Sequence, residues 1–352
     1  MARKIVKTVI ISIAGLIGVI VILVIALQAL GIGHLNLYTP VTRKKAYALP
    51  QEASFPSPLH AVGNQLLNEN GEIVRLRGVM IPDPARLRQD RRFNQELIGE
   101  VQATGANVIR VPVHPENWEH DKDYLWRYLD PLVTWAGEAG MYVIIDLHFI
   151  GNITSGAGNQ MPDLNMPAAE FADQFWSVVA PYFSAAPNVL FELYNEPADI
   201  TAEDWINAST HLVELIRSYG ITQPLIVGGV DYSRDLSWVM ESPLKDDNLA
   251  YASHIYPSHA QSSWEHWFVE AAEKYPVLIT EWGYLDGTKV EGPGYLAGSR
   301  ENYGEPLLAA LDELGAGWIA CWYDDEWLPP MFAKERETMT DYGQWVIDEL
   351  KH

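Results

Sequence analysis

The chain has 352 residues, a single cysteine and a formal net charge of −22. Arg3, Lys4, Lys7, Arg43, Lys44 and Lys45 all precede Glu52, the first of 46 acidic residues, so the remainder carries a net charge near −28. Such a surface repels phosphate backbones and anionic headgroups, which excludes nucleic-acid and peripheral membrane binding by the main domain and leaves uncharged ligands.

Residues 8–27 carry no charge, and only Thr8 and Ser12 among them are polar. About 20 such residues make roughly 30 Å of helix, the thickness of a bilayer core. A cleavable signal has a shorter apolar region and a small-residue site directly after it. The nearest such site, Ala46-Tyr47-Ala48, is far downstream, so a retained single-pass signal anchor is expected over 1–34, with secretion after cleavage as the alternative. Three cations before the span place the amino terminus inside and the bulk of the chain outside, although Arg43-Lys44-Lys45 weakens the asymmetry. A proline-containing stretch over 35–58 reads as a tether, and the folded domain is expected over 59–352.

The domain opens on Gln65 to Val74, two short alternating runs around an Asn-Gly turn, a hairpin expected to plug the amino-terminal end of a barrel. Eight strand-like runs follow: Val74–Val79, Asn107–Val113, Tyr142–His148, Val189–Glu196, Leu225–Gly229, Leu249–Tyr256, Pro276–Glu281 and Gly317–Asp324. Helical patterns lie between most of them, around 93–104, 124–139, 168–183 and 203–219, with a last one at 342–350. Eight alternating units without a sequence repeat predict a (β/α)8 barrel preceded by a single transmembrane helix. An open doubly wound sheet would need a glycine-rich loop after its first strand, and Arg77-Gly78-Val79-Met80-Ile81-Pro82 is not one. Cys321 allows no internal disulfide and, flanked by Trp318-Ile319-Ala320 and Trp322, reads as a small buried side chain.

In such a barrel the polar residues at strand carboxyl ends form the site. Here they are Arg110, His148, Asn195, Glu196, His254, Tyr256, Glu281 and Trp322. Two carboxylates at one mouth fit glycosidic bond cleavage, in which one acid stays protonated and the other ionised. Arg110 and a hydrogen bond from Tyr256 would favour the ionised form of Glu281, making it the nucleophile. Glu196, beside aromatic residues rather than a cation, would keep a raised pKa and donate the proton. Asn195 has an amide donor suited to a sugar 2-hydroxyl, and His148 and His254 can orient hydroxyls or the acid. No His-x-His pair occurs, so neither metal nor cofactor is expected.

Trp322 is expected to stack on a sugar. Trp118, Trp238, Trp264, Trp267, Trp282 and Trp327 lie in or near the same loops and are read mostly as filler. Long segments at 149–167, 284–303 and 325–340 should shape the cleft. The sequons at Asn152 and Asn207 are too short to support glycosylation by themselves.

From about Leu59 to the carboxyl terminus the chain resembles glycoside hydrolase family 5, the cellulase family of retaining clan A enzymes. The likeness rests on Leu76-Arg77-Gly78-Val79, Ile109-Arg110-Val111-Pro112-Val113, Ile145-Asp146-Leu147-His148, Tyr194-Asn195-Glu196-Pro197, His254-Ile255-Tyr256 and Thr280-Glu281-Trp282-Gly283. It implies an eight-stranded barrel, Glu196 as acid/base, Glu281 as nucleophile, and Arg110, His148, Asn195, His254, Tyr256 and Trp322 around the sugar. The combined expectation is a membrane-anchored endo-β-1,4-glucanase acting on neutral β-linked polysaccharide outside the cell. Action on β-mannan, exo-action on short β-glucosides, and a barrel that only binds carbohydrate are the alternatives.

Overall fold

The computed structural model describes residues 41–51, 53–157, 164, 166–286 and 292–352. The apolar stretch at 8–27 lies outside them, and among the described residues no helix is long and apolar enough to cross a membrane.

In chain order the strands are β1 (His60–Val62), β2 (Gln65–Leu67), β3 (Arg77–Met80), β4 (Val108–Val113), β5 (Tyr142–Leu147), β6 (Ile150–Gly151), β7 (Val189–Glu192), β8 (Glu196–Pro197), β9 (Leu225–Gly228), β10 (Leu249–Ile255), β11 (Val277–Trp282) and β12 (Gly317–Ala320). Eight of them, β3, β4, β5, β7, β9, β10, β11 and β12, pair in parallel and close into a barrel in that order. The expected (β/α)8 barrel is therefore present.

Both faces of these strands are covered, which is why they read as nearly unbroken apolar runs. Val108, Ile144, Leu190, Ile226, Ala250, Leu278 and Ile319 fill the barrel interior. Their alternate neighbours, among them Ile109, Val143, Phe191, Val227, Tyr251, Ile279 and Trp318, pack outward against the helices. The helix Ala202–Ser218 shows how this is encoded. Thr201 caps it by accepting from the Asp204 amide at 3.1 Å, and Trp205, Ser209, Leu212, Val213 and Ile216 form one buried stripe. The indole of Trp205 then donates to the carbonyl of Gly228 at the end of β9, at 2.8 Å.

Two expectations near the amino terminus are corrected. The hairpin is β1–β2, turning at Gly63 and Asn64 with Gly63 at φ +59°, one turn earlier than read from the Asn-Gly pair. The Asn70-Gly71 turn exists too, but it only returns the chain to a single bridge between Leu67 and Ile73. Leu59 and Leu66 pack with Leu76, Tyr142 and Ala250 inside the barrel, so the hairpin does close its amino-terminal end.

Residues 43–51 and 53–58, read as part of an extended tether, form no helix or strand but are fastened to the barrel. Arg43 pairs with Asp123 at 2.6 Å and Lys44 with Asp130 at 2.8 Å. Tyr47 is buried against Phe183, and the hydroxyl of Tyr142 holds the carbonyl of Ser57 at 2.8 Å. Prolines made the segment look unstructured because they remove helix, not because they remove contacts. Two of the cations that blurred the charge asymmetry around the apolar stretch are thus barrel ion pairs.

Candidate active site

Alternation along β11 places Leu278 and Thr280 in the interior and would turn Glu281 outward. A bulge prevents this. Ser253 of β10 is opposite Ile279, whereas His254 is opposite Glu281, leaving Thr280 as the extra residue. The one-residue slip turns both side chains inward. Thr280 reaches Glu192 at 2.9 Å, and Glu281 reaches Arg110 at 2.7 Å.

Glu196 arrives by another route. The run expected as one strand over 189–196 is two: β7 stops at Glu192, and β8 pairs with β6 in a separate parallel sheet. Between them the Asn195 amide donates to Leu147 and the Glu196 amide to Phe149, each at 3.0 Å. This small sheet carries Glu196 past the barrel wall and back over the mouth. One carboxylate oxygen of Glu196, one of Glu281 and a ring nitrogen of His254 lie within 4.8 Å of one another.

Arg110 is fully buried and organises the floor. Its guanidinium donates to Glu192 at 2.6 Å, to Glu281 at 2.7 Å and to the Asn195 side-chain oxygen at 2.8 Å, and it lies 3.1 Å from Asp146. The bond to Asn195 fixes that amide with its oxygen toward Arg110, so the NH2 group is left for a ligand. Asp146 accepts from Nδ1 of His148 at 2.6 Å. Burial, with His114 and Arg110 nearby, holds His148 far below its ordinary pKa and therefore neutral, with Nε2 as an acceptor.

The environments of the two glutamates differ. Burial alone would raise Glu281, but His254 and Arg110, with the Tyr256 hydroxyl donating at 2.8 Å, hold it well below the usual carboxylate range. Burial raises Glu196 above that range; the His254 hydrogen bond opposes the rise and the negative charge of Glu281 adds to it. The expectation that aromatic neighbours would set Glu196 is corrected, because its partner is Nδ1 of His254 at 2.9 Å.

Thr280 fixes how that pair can share a proton. Its hydroxyl donates to Glu192, so it accepts from Nε2 of His254, 3.1 Å away. When His254 is neutral, its Nδ1 is therefore an acceptor and the proton sits on Glu196. Among the described residues, Glu196, His254 and Glu281 are the group whose donor atoms could share a metal ion. The Arg110 cation against Glu281 opposes one.

These residues line a cleft of about 680 Å³, with Asn195, Glu196, Tyr256, Glu281, His148 and Trp322 in its wall. Of the seven tryptophans considered in the sequence, Trp322 and Trp327 line it, packed edge to face at 4.7 Å. Trp282 is fully buried behind the barrel among Trp318, Tyr342 and Trp345. Trp118, Trp238 and Trp264 pack on other aromatic rings away from the cleft, and Trp267 stands behind the cleft wall against the ring of His259. Of the two sequon asparagines, Asn152 is buried and bonded to Asp199, whereas Asn207 is exposed on its helix beside the buried Ser209.

Asp146, Glu192 and Thr280 received no role from the sequence. A signal was present, because a charge at an inward position of an apolar strand needs a partner. Also unassigned were the cleft residues Tyr232, Arg234, His259, Tyr295 and Glu326, which come from loops and have no periodicity to betray them.

The family description Cellulase (glycosyl hydrolase family 5) matches residues 67–325, most of the chain. The chain belongs to glycosyl hydrolase family 5. It is 25% identical over 296 residues to an endoglucanase of Clostridium saccharobutylicum, covering 81% of this chain and 62% of that one. Endoglucanase A of Butyrivibrio fibrisolvens is 26% identical over 320 residues, covering 82% and 68%. The chain thus spans about three fifths to two thirds of the length of these relatives. A β-glucanase of Saccharophagus degradans, solved in complex with cellotetraose, has the same fold with a TM-score of 0.82 at 23% identity, covering 90% of this chain and 99% of that one.

Proposed function

We propose that this family 5 barrel is a retaining glycosidase, acting as an endo-β-1,4-glucanase by double displacement. The observation that carries the reading is the separation of the two glutamates, with oxygens within 4.8 Å and pKa values driven in opposite directions. Retaining enzymes hold their carboxyl groups about 5 to 5.5 Å apart, whereas inverting ones leave room for a water.

Glu281 attacks the anomeric carbon while Glu196 gives its proton to the departing glycosidic oxygen. A glycosyl ester on Glu281 results, and Glu196, now a carboxylate, takes a proton from the water that cleaves it. Arg110 and Tyr256 keep the nucleophile ionised. The NH2 of Asn195 is placed for the 2-hydroxyl, and Trp322 offers its ring to the sugar. The names of the relatives support glucan over mannan as substrate. Product analysis on β-glucans, mannan and xylan, with the anomer of the first-formed product read by NMR, tests both parts. Inverted product would sink the mechanism, and turnover of mannan alone would sink the substrate.

We also infer that the uncharged residues 8–27 anchor the barrel to the outside of a membrane, a reading supported by their length and the three preceding cations. Membrane fractionation and sequencing of the mature amino terminus test it. A mature chain beginning beyond Leu30, or release without detergent, would refute it.

A further inference from the structure

Glu192 stands fully buried at the end of β7, and each of its carboxylate oxygens has a partner of its own. One accepts from Arg110 at 2.6 Å, and the other accepts from the Thr280 hydroxyl at 2.9 Å. Arg110 does not need Glu192 for its charge to be balanced. Its guanidinium already has Glu281 at 2.7 Å and Asp146 at 3.1 Å, so three buried carboxyl groups surround one cation. Such an excess of acid is costly unless a proton is held among them.

The oxygen turned away from Arg110 begins a chain of hydrogen bonds. From Glu192 it runs through Thr280 to Nε2 of His254 at 3.1 Å, and from Nδ1 of His254 to Glu196 at 2.9 Å. Carboxyl, hydroxyl and imidazole can each both give and accept, so the whole chain can point either way. With Glu192 ionised, Thr280 donates to it, Nε2 carries the imidazole hydrogen, and the proton at the far end sits on Glu196. Reversal moves protons by one link each: from Glu196 to Nδ1, from Nε2 to the Thr280 oxygen, and from that hydroxyl to Glu192. Net charge is unchanged, but the carboxylate now lies at Glu196. Only the first form has an acid to give.

The surroundings set the balance between the two ends. Glu192 faces Arg110 from β4, Asp146 from β5 and His254 from β10; Arg110 favours its charge, whereas burial and Asp146 oppose it. Glu196 faces His254 and Glu281, with Arg110, Tyr256 and Tyr295 around them, and both burial and the charge of Glu281 oppose its ionisation.

We infer that Glu192 and Glu196 share one proton through Thr280 and His254, and that Glu192 is a positioning residue whose charge, held by Arg110, keeps that proton on the acid. Groups joined in this way titrate as a pair. The inference rests on the glycosidase reading above and assigns the loading of its acid to a residue that never meets the sugar.

Glu192→Gln tests it through the basic limb of the kcat/KM profile on cellohexaose, an unactivated substrate that needs the acid. Arg110 can only donate, so the amide oxygen must face it and the NH2 group must face Thr280. Thr280 then donates to Nε2, and the Nδ1 hydrogen is presented to Glu196 and favours its ionised form. The basic limb should therefore move down by about 1 pH unit. With Thr280→Val the hydroxyl is gone, and adding Glu192→Gln should move the limb by less than half as much; with Thr280→Ser the full shift should return. A limb unmoved by Glu192→Gln, or moved equally with and without the hydroxyl, would overturn the shared proton.

NMR of the histidine ring nitrogens reads the same chain without turnover. Neutral His254 should carry its hydrogen on Nε2 in the wild type and on Nδ1 in Glu192→Gln. A wild-type hydrogen on Nδ1 would overturn the inference even where the variant fails to fold. Wild-type protein that leaves cellohexaose uncut would refute the glycosidase reading, and the ring-nitrogen spectrum would still decide the direction of the chain.

Discussion

Thr280 and Glu281 are neighbours in sequence whose side chains both point into the barrel, because the bulge between Ser253 and His254 cancels the alternation of β11. Each then meets a different part of one network: Thr280 links Glu192 to His254, and Glu281 closes onto Arg110 and Tyr256. The nucleophile and the proton donor are thereby joined through side chains from four barrel strands, β4, β7, β10 and β11.

Glu281→Ala is expected to lower kcat by more than about 10³-fold while leaving the fold intact, since the residue removed forms the covalent intermediate. Azide should restore part of the activity and yield a glycosyl azide of inverted configuration. Retained configuration, or unaffected turnover, would remove Glu281 from the nucleophile role.

Glu196→Ala should show a loss that depends on the leaving group. Glycosides of acidic phenols need little protonation and should keep a fast first step, whereas unactivated oligosaccharides should lose about 10²- to 10⁴-fold. Burst kinetics on aryl glycosides would reveal the accumulated intermediate. An equal loss on every substrate would argue for a positional role instead.

The pH profile of kcat/KM should be bell-shaped. Glu281, whose pKa is depressed, must be ionised, so activity fails as pH falls through its value. Glu196, whose pKa is raised, must be protonated, so activity fails as pH rises through its value. Tyr256→Phe removes a donor that favours ionised Glu281, so the acid limb should move up by about 1 pH unit, a hydrogen bond to a charge being worth about 1.5 kcal/mol. An acid limb that stays in place would show that the Tyr256 bond does not tune the nucleophile.

Arg110→Met should destabilise the barrel by about 3–5 kcal/mol, because it strands Asp146, Glu192 and Glu281 without their shared cation. The loss should be smaller at acidic pH, where these buried carboxyls can protonate. Urea unfolding at two pH values measures both, and a loss independent of pH would mean that packing rather than charge is what Arg110 supplies.

The chain's own order of residues determined a good deal. Unbroken apolar runs alternating with amphipathic segments specified a parallel barrel, since only strands covered on both faces read that way. Position at a strand end was enough to collect the eight candidate site residues, because every carboxyl end of a closed parallel barrel opens on one mouth.

The tertiary structure alone decided the rest. That Glu281 faces inward depends on pairing with β10, a relationship between residues that sequence spacing does not encode. That Glu196 answers to His254 rather than to an aromatic ring follows from the β6–β8 sheet, whose two-residue strands are too short to show a period. The segment at 43–58 looked like tether because its contacts, from Arg43 to Asp123 and from Tyr47 to Tyr182, cross about 80 or more positions. Local pattern reports which faces will be buried; which groups meet there is settled when the barrel closes and charges from distant strands must share one guanidinium.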